Sequence, residues 1–287
     1  KPYEWDDPNL LEDYRCFVVD PGIEEDQFMV GFNVLPGQPR QVHHVIMFNL
    51  TTEESQQAAL EVEAGFEREG YPCYGGPTCS DTDLEKCIGE GLTTGGAGLL
   101  AIWAPGMGPT YYPDNTGVAV PAGAKFVMQI HYDLAAGREP DFTSIEFDLE
   151  KDADLLQMLP LADFHFNLPP GESLTETTNT MAFPNMGLGT AIIHGMFPHM
   201  HELGSGLEAW LKRGDEEICL LDVETWDWNW QGNFFYEEPL TLEPGDVLKI
   251  TCKYNTENQI EVTKFGESVE DEMCLGGLFI SGWPAIF

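Results

Sequence analysis

Ala191-Ile192-Ile193-His194-Gly195-Met196-Phe197-Pro198-His199-Met200-His201-Glu202-Leu203-Gly204 lies in a segment, residues 191–211, that reads as β-strand. On a strand, residues i and i+2 face the same side. His199 and His201 therefore aim two imidazoles at one point, which suits a metal ion. Taken alone, an H-x-H pair equally describes two surface histidines on an edge strand. Downstream, Glu272-Met273-Cys274 offers a thioether, a soft ligand that suits Cu(I) better than zinc, magnesium or calcium. Two histidines and one methionine describe a copper site.

Outward from this stretch the chain is a succession of short strand-like segments. In the first half they are residues 16–19, 27–34, 41–50, 99–103, 117–120, 125–134 and 145–149. In the second half they are 176–183, 190–211, 217–223, 240–242, 246–254 and 278–281. Pro121-Ala122-Gly123 and Glu243-Pro244-Gly245 each follow a strand as a turn. One helix is expected, over residues 52–68, with so few apolar positions that it is a surface excursion. Many short strands at this spacing predict an all-β protein of antiparallel β-sandwiches. A length of 287 residues predicts two domains. The connection falls in 151–161, dividing the chain into 1–155 and 156–287.

The net charge of −36, from 49 acidic against 13 basic residues, excludes nucleic acid as a partner. It also argues against docking on anionic membranes. No apolar run reaches the length of a membrane span. No signal peptide is visible ahead of Lys1, as expected of a processed chain. Seven cysteines occur without paired C-x-x-C knuckles, so a zinc ribbon is not expected. Cys73, Cys79 and Cys87 crowd a Gly/Pro-rich stretch that reads as stapled loops, which places the protein in an oxidising, extracytoplasmic compartment. An odd number leaves at least one thiol free or bonded to another chain.

The remaining candidate ligands are His43-His44 and His131, the latter in Val127-Met128-Gln129-Ile130-His131-Tyr132. Together they would make a three-nitrogen site. Neighbours on a regular strand point to opposite faces, so both can reach one ion only where the strand is bent, bulged or ends. Otherwise one is a core histidine and the other is exposed. Three histidines also suit a zinc hydrolase with an open fourth position. His165 and His194 have no assigned role. Trp226-Asp227-Trp228-Asn229-Trp230-Gln231 and Phe234-Phe235-Tyr236 read either as a pocket lining or as core and rim of a strand.

Val42-His43-His44-Val45-Ile46-Met47-Phe48, Gln129-Ile130-His131-Tyr132, His199-Met200-His201, Cys252-Lys253-Tyr254-Asn255-Thr256 and Asp271-Glu272-Met273-Cys274 occur in this order. They resemble the copper type II, ascorbate-dependent monooxygenases, the family of the peptidylglycine and dopamine enzymes. The resemblance implies two jelly-roll-like β-sandwich domains with a copper-lined cleft and one copper per domain. His43, His44 and His131 would hold the electron-transfer copper. His199, His201 and Met273 would hold the oxygen-activating copper. Gln129 would lie on the electron route, and Cys252–Cys274 would be a disulfide bracing Met273. The partners implied are a small-molecule or peptide-like substrate, O₂ and an ascorbate-like reductant.

Departures from the family bear on substrate. The peptidylglycine enzymes have an arginine where Phe197 stands, and an asparagine and a tyrosine where Leu275 and Gly277 stand. A guanidinium is the natural clamp for a carboxylate, so a peptide with a C-terminal glycine is not the expected substrate. Leu50 stands where the family has a cysteine. Three readings compete with a monooxygenase: a non-catalytic copper protein on the same scaffold, a zinc hydrolase, and a sandwich without metal.

Overall fold

The computed structural model describes the chain except residues 1, 6, 74–75, 78–96, 185–188, 267, 269 and 285–287, and the side chain of Ala97. Cys79 and Cys87 lie outside the described residues. Two compact units divide it, Lys1–Ala153 and Asp154–Ile286.

The first unit contains β1 (Glu12–Val19), β2 (Gln27–Leu35), β3 (Val42–Leu50), helix α1 (Glu53–Ala64), β4 (Tyr71–Pro72), β5 (Ala97–Trp103), β6 (Thr110–Tyr111), β7 (Thr116–Val120), β8 (Lys125–Asp133) and β9 (Ser144–Glu150). One sheet runs β4-β1-β8-β3-β5. In the other, β2 pairs β9 along one edge and β6 and β7 along the other. Central β8 is hydrogen-bonded on both sides and buried along seven consecutive residues, as a strand covered on both faces must be. Outer β9 alternates strictly between half-buried and exposed, the two-residue period of a strand with one wet face.

Helix α1 starts at Thr52, whose side chain accepts from the Ser55 amide while Ser55 returns a bond to the Thr52 backbone. This reciprocal cap satisfies amide donors that a first turn otherwise leaves unpaired. Only Ser55 and Ala59 of the helix are buried, so α1 is the surface excursion expected.

The second unit contains β10 (Asp154–Leu155), β11 (Gln157–Asp163), β12 (Asn167–Leu168), β13 (Thr175–Ala182), β14 (Ala191–His199), β15 (Gly204–Arg213), β16 (Glu216–Val223), β17 (Phe234–Leu242), β18 (Val247–Tyr254), β19 (Thr263–Lys264) and β20 (Cys274–Ser281). Its four-stranded sheets are β11-β20-β14-β17 and β13-β18-β15-β16. One core cluster draws on both: Ile193, Met196, Leu278 and Ile280 from the first, Leu207, Ala209, Leu211, Leu248 and Ile250 from the second. Sheet packed on sheet is the all-β sandwich architecture the strand pattern predicts.

The units divide at Ala153/Asp154, and β11 begins within 151–161, registered residue for residue on β20. As an edge strand, β11 tolerates the missing amide donor of Pro160. Two expectations are corrected. The single strand 190–211 is two strands, and its turn, Met200–Leu203, carries His201. Residues Trp226–Trp230 are irregular, with a turn at Trp228 and Asn229, rather than a strand, whereas Phe234–Tyr236 begin β17.

Candidate metal centres

In the first unit, His44 on β3 is the cross-strand partner of His131 on β8. The β3–β8 register shifts between Val42 and His44. A bulge of this kind re-aims one side chain, which is the condition two adjacent histidines need to share a side. The His43 and His44 Nδ1 atoms lie 3.3 Å apart. The His131 ring centroid is 4.6 Å from that of His43 and 4.9 Å from that of His44. One ring nitrogen from each of the three lies within 4.8 Å of the others.

Two nitrogens bonded to one ion at about 2.0–2.1 Å sit at most about 4.2 Å apart, so small ring rotations close this set on a metal. His131 is fully buried, and neither ring nitrogen has a hydrogen-bond partner. An unpaired buried polar atom costs about 1–3 kcal/mol, and a metal ion takes up the imidazole lone pair. The donor set therefore fits copper in either oxidation state, and it fits zinc as well. Two neighbours escaped notice in the sequence. Tyr14, opposite His131 on β1, stacks on it at 4.0 Å and 13°. The Glu12 carboxylate stands 3.5 Å from His131 Nε2. The strand pattern of β1 was the available signal, because Tyr14 and Glu12 share one face of it.

Gln129 lies on the same face of β8 as His131 and is fully buried. Its amide nitrogen is 3.6 Å from Cys73 Sγ, within the Cys16–Cys73 disulfide. Leu50, at the family's cysteine position, is buried in the cluster around that disulfide.

In the second unit, His199 is the last residue of β14 and His201 lies in the turn beyond it, ring centroids 5.3 Å apart. Each ring is oriented by an outer partner. His199 Nδ1 is 2.7 Å from Gln231 Oε1, and Gln231 Nε2 donates to the Trp228 carbonyl at 2.8 Å. The second bond fixes the amide, so Oε1 accepts and His199 Nδ1 carries the proton. His201 Nδ1 lies 3.0 Å from the Asp271 carbonyl, which only accepts. Both rings thus keep the Nε2 lone pair for a metal, the arrangement outer partners impose on ligating histidines. Burial pushes the His199 pKa below the ordinary imidazole value, with the Gln231 contact opposing; the neutral ring is the form that ligates.

Met273 precedes β20 and is buried. Its amide donates to Glu272 Oε2 at 3.1 Å, and its carbonyl accepts from Tyr254 Oη at 3.0 Å. Cys274 is disulfide-bonded to Cys252. Burial pushes the Glu272 carboxyl up to about 7, against backbone amides that favour its ionised form. Gln231 and Glu272 are the outer partners the sequence reading passed over. Gln231 sits in a run that drew attention for its tryptophans.

Residues 5–139 match the N-terminal domain of the copper type II ascorbate-dependent monooxygenases, and residues 151–286 match the C-terminal domain. The chain belongs to this family. Mouse (Mus musculus) DBH-like monooxygenase protein 1 is 26% identical over 94% of the chain and 42% of the relative. Rat (Rattus norvegicus) dopamine beta-hydroxylase is 24% identical over 81% of the chain and 40% of the relative. Mouse peptidyl-glycine alpha-amidating monooxygenase is 23% identical over 93% of the chain and 25% of the relative. The chain spans less than half the length of each of these relatives.

Within this chain, the three departures have physical consequences. Phe197 is buried and stacks parallel to His199 at 6.1 Å. At Gly277, an added Cβ would lie 2.4 Å from Met158 Sδ, so the position a longer polar side chain would need is taken by Met158. Leu275 is the cross-strand partner of His199. Neither His165 nor His194 joins a ligand set. His194 Nε2 is 2.7 Å from Ser281 Oγ within the β14–β20 sheet, and burial lowers its pKa. Among the described residues, Cys219 is the free thiol.

Proposed function

We propose that the chain holds two copper ions and hydroxylates a C–H bond, using O₂ and a one-electron reductant such as ascorbate. The N-terminal domain, 1–155, would hold one ion on His43, His44 and His131. The C-terminal domain, 156–287, would hold the other on His199, His201 and Met273. The observation that carries this reading is the closure of three imidazoles, one with both nitrogens orphaned, in a chain of this family. Bound copper supplies one-electron redox chemistry and an open position for dioxygen. Gln231 and the Asp271 carbonyl hold the His199 and His201 rings in the ligating tautomer. Gln129, on the His131 face of β8, is assigned to the electron route.

Phe197 and the Met158-filled space at Gly277 favour a substrate lacking a terminal carboxylate, with an unactivated or benzylic C–H. A glycine-extended peptide is accordingly expected to turn over more slowly than about 1 per second, an ordinary enzymatic rate. Two disulfides support an extracytoplasmic location.

The test is metal analysis of reconstituted protein, followed by product formation from labelled O₂ with ascorbate and a benzylic probe. Two coppers per chain and reductant-dependent incorporation of one oxygen atom are expected. Two coppers without product would identify a non-catalytic copper protein. A stoichiometry of one or none ends the two-site reading.

A further inference from the structure

In Asp271-Glu272-Met273-Cys274, Met273 is the assigned ligand, the Asp271 carbonyl faces the His201 ring and Cys274 is disulfide-bonded, which leaves the Glu272 side chain to be accounted for. It is fully buried, yet no Lys or Arg pairs with it among the described residues. Its carboxylate is instead surrounded by backbone amides. Oε2 accepts from His201 at 3.0 Å and from Met273 at 3.1 Å. Oε1 accepts from Leu203 at 2.7 Å. One oxygen therefore joins the backbone of a histidine ligand to that of the methionine ligand, although 71 positions separate Glu272 from His201. The neighbouring Asp271 carbonyl orients the His201 ring from the same segment. Without Glu272 the turn after β14 would expose several buried amides to no acceptor, each costing about 1–3 kcal/mol.

We propose that Glu272 is a positioning residue that assembles the second metal site before metal arrives, by fastening the His201–Gly204 turn to the Met273 segment. The carboxylate needs both oxygens as acceptors, so neither an apolar isostere nor an amide reproduces it. The inference rests on the assignment of Met273 as a ligand only for its metal-dependent readout; the fastening itself is a property of the metal-free chain.

The test compares wild type, Glu272→Leu and Glu272→Gln. Leucine keeps bulk and removes both acceptors, and glutamine keeps one oxygen and opposes an NH₂ to the amides on the other side. In metal-free protein, exchange of the His201, Leu203 and Met273 amides should accelerate at least 10-fold in Glu272→Leu and less in Glu272→Gln. The amides of Met196 and Leu278, paired in the adjoining β14–β20 ladder, should not change. In Cu(I)-loaded protein, the copper–sulfur contribution to X-ray absorption should weaken in the same order, with the His43/His44/His131 ion retained. Unchanged exchange at the three amides overturns the proposal. So does a full copper–sulfur contribution in a variant whose protection is lost. If neither variant folds, Glu272 belongs to the stability of the domain, and the positioning role is rejected. A wild type lacking any copper–sulfur contribution would instead remove Met273 from the ligand set, and the exchange comparison alone would then decide.

Discussion

The two histidine clusters are built on opposite principles. In the first unit the proposed ligands come from two paired strands, and the key imidazole, His131, is buried with neither nitrogen hydrogen-bonded. In the second, each ring already has an outer partner, and Glu272 ties the ligand-bearing segments together. A bulged strand pair aims the rings of the first cluster, and a hydrogen-bonded turn gives the second its shape. On the proposed reading, the first site has an unmet need that a metal would fill, whereas the second is shaped by the protein alone.

The largest expected effect breaks the first site. His131→Ala removes the one ligand contributed by β8. Copper should fall from two ions to one per chain, and product formation should drop by more than about 100-fold, beyond the range of losses from outer partners. Two coppers persisting in this variant would show that the orphaned nitrogens are a folding oddity and not a metal site.

Next comes the thioether. Met273→Ile keeps much of the bulk and removes the sulfur, so the fold should lose little, less than about 1.5 kcal/mol. Cu(I) affinity at the second site should fall and product formation collapse, while an added one-electron donor still reduces the copper on His43, His44 and His131. A merely space-filling methionine predicts identical Cu(I) X-ray absorption in variant and wild type.

These residues differ in how far the sequence disclosed them. Strands such as Val42–Leu50 and Val247–Tyr254 were legible because apolar runs bounded by turns have few other solutions. The need for a bend, a bulge or a strand end at His43-His44 was also legible, since the two-residue period forbids a shared face on a regular strand, and the structure has a register shift there. What was not legible is long-range. Strand β11 takes its form from pairing with β20, more than a hundred residues away. His201 converges with His199 through a turn held by Glu272, not through strand alternation. Gln231 and Tyr14 become partners of histidines only once separate elements meet.

A third prediction sharpens the contrast at the second site. Gln231→Leu leaves His199 Nδ1 without its acceptor and frees the ring to rotate. Copper affinity there should fall about 10- to 100-fold. The first site, in which Gln231 takes no part, should keep its affinity. Titration with a Cu(I) competitor checks both in one experiment, and an equal loss at both sites would show that the effect is global destabilisation.

The smallest effect is the most direct measure of the difference between the two sites. If the second is built by hydrogen bonds, its backbone should be ordered without metal. The His201 and Leu203 amides, bonded to Glu272, should then show nearly the same exchange protection with and without copper, within about threefold, because local opening is set by the bonds broken. At the first site the bulge between Val42 and His44 weakens the β3–β8 ladder where the ligands stand. On the proposed assignment copper would join β3 to β8 through three side chains, so opening there would also break metal bonds. Ligand binding to the closed state alone raises its stability by RT ln(1 + [L]/Kd), about 2.7 kcal/mol at a hundredfold excess over Kd. The amides of Val45 and Ile130, paired across that ladder, should therefore gain protection on copper loading, by up to about 100-fold where opening of the ladder limits exchange. Equal gains at both sites would mean that both are completed by metal. A gain confined to the second would reverse the comparison.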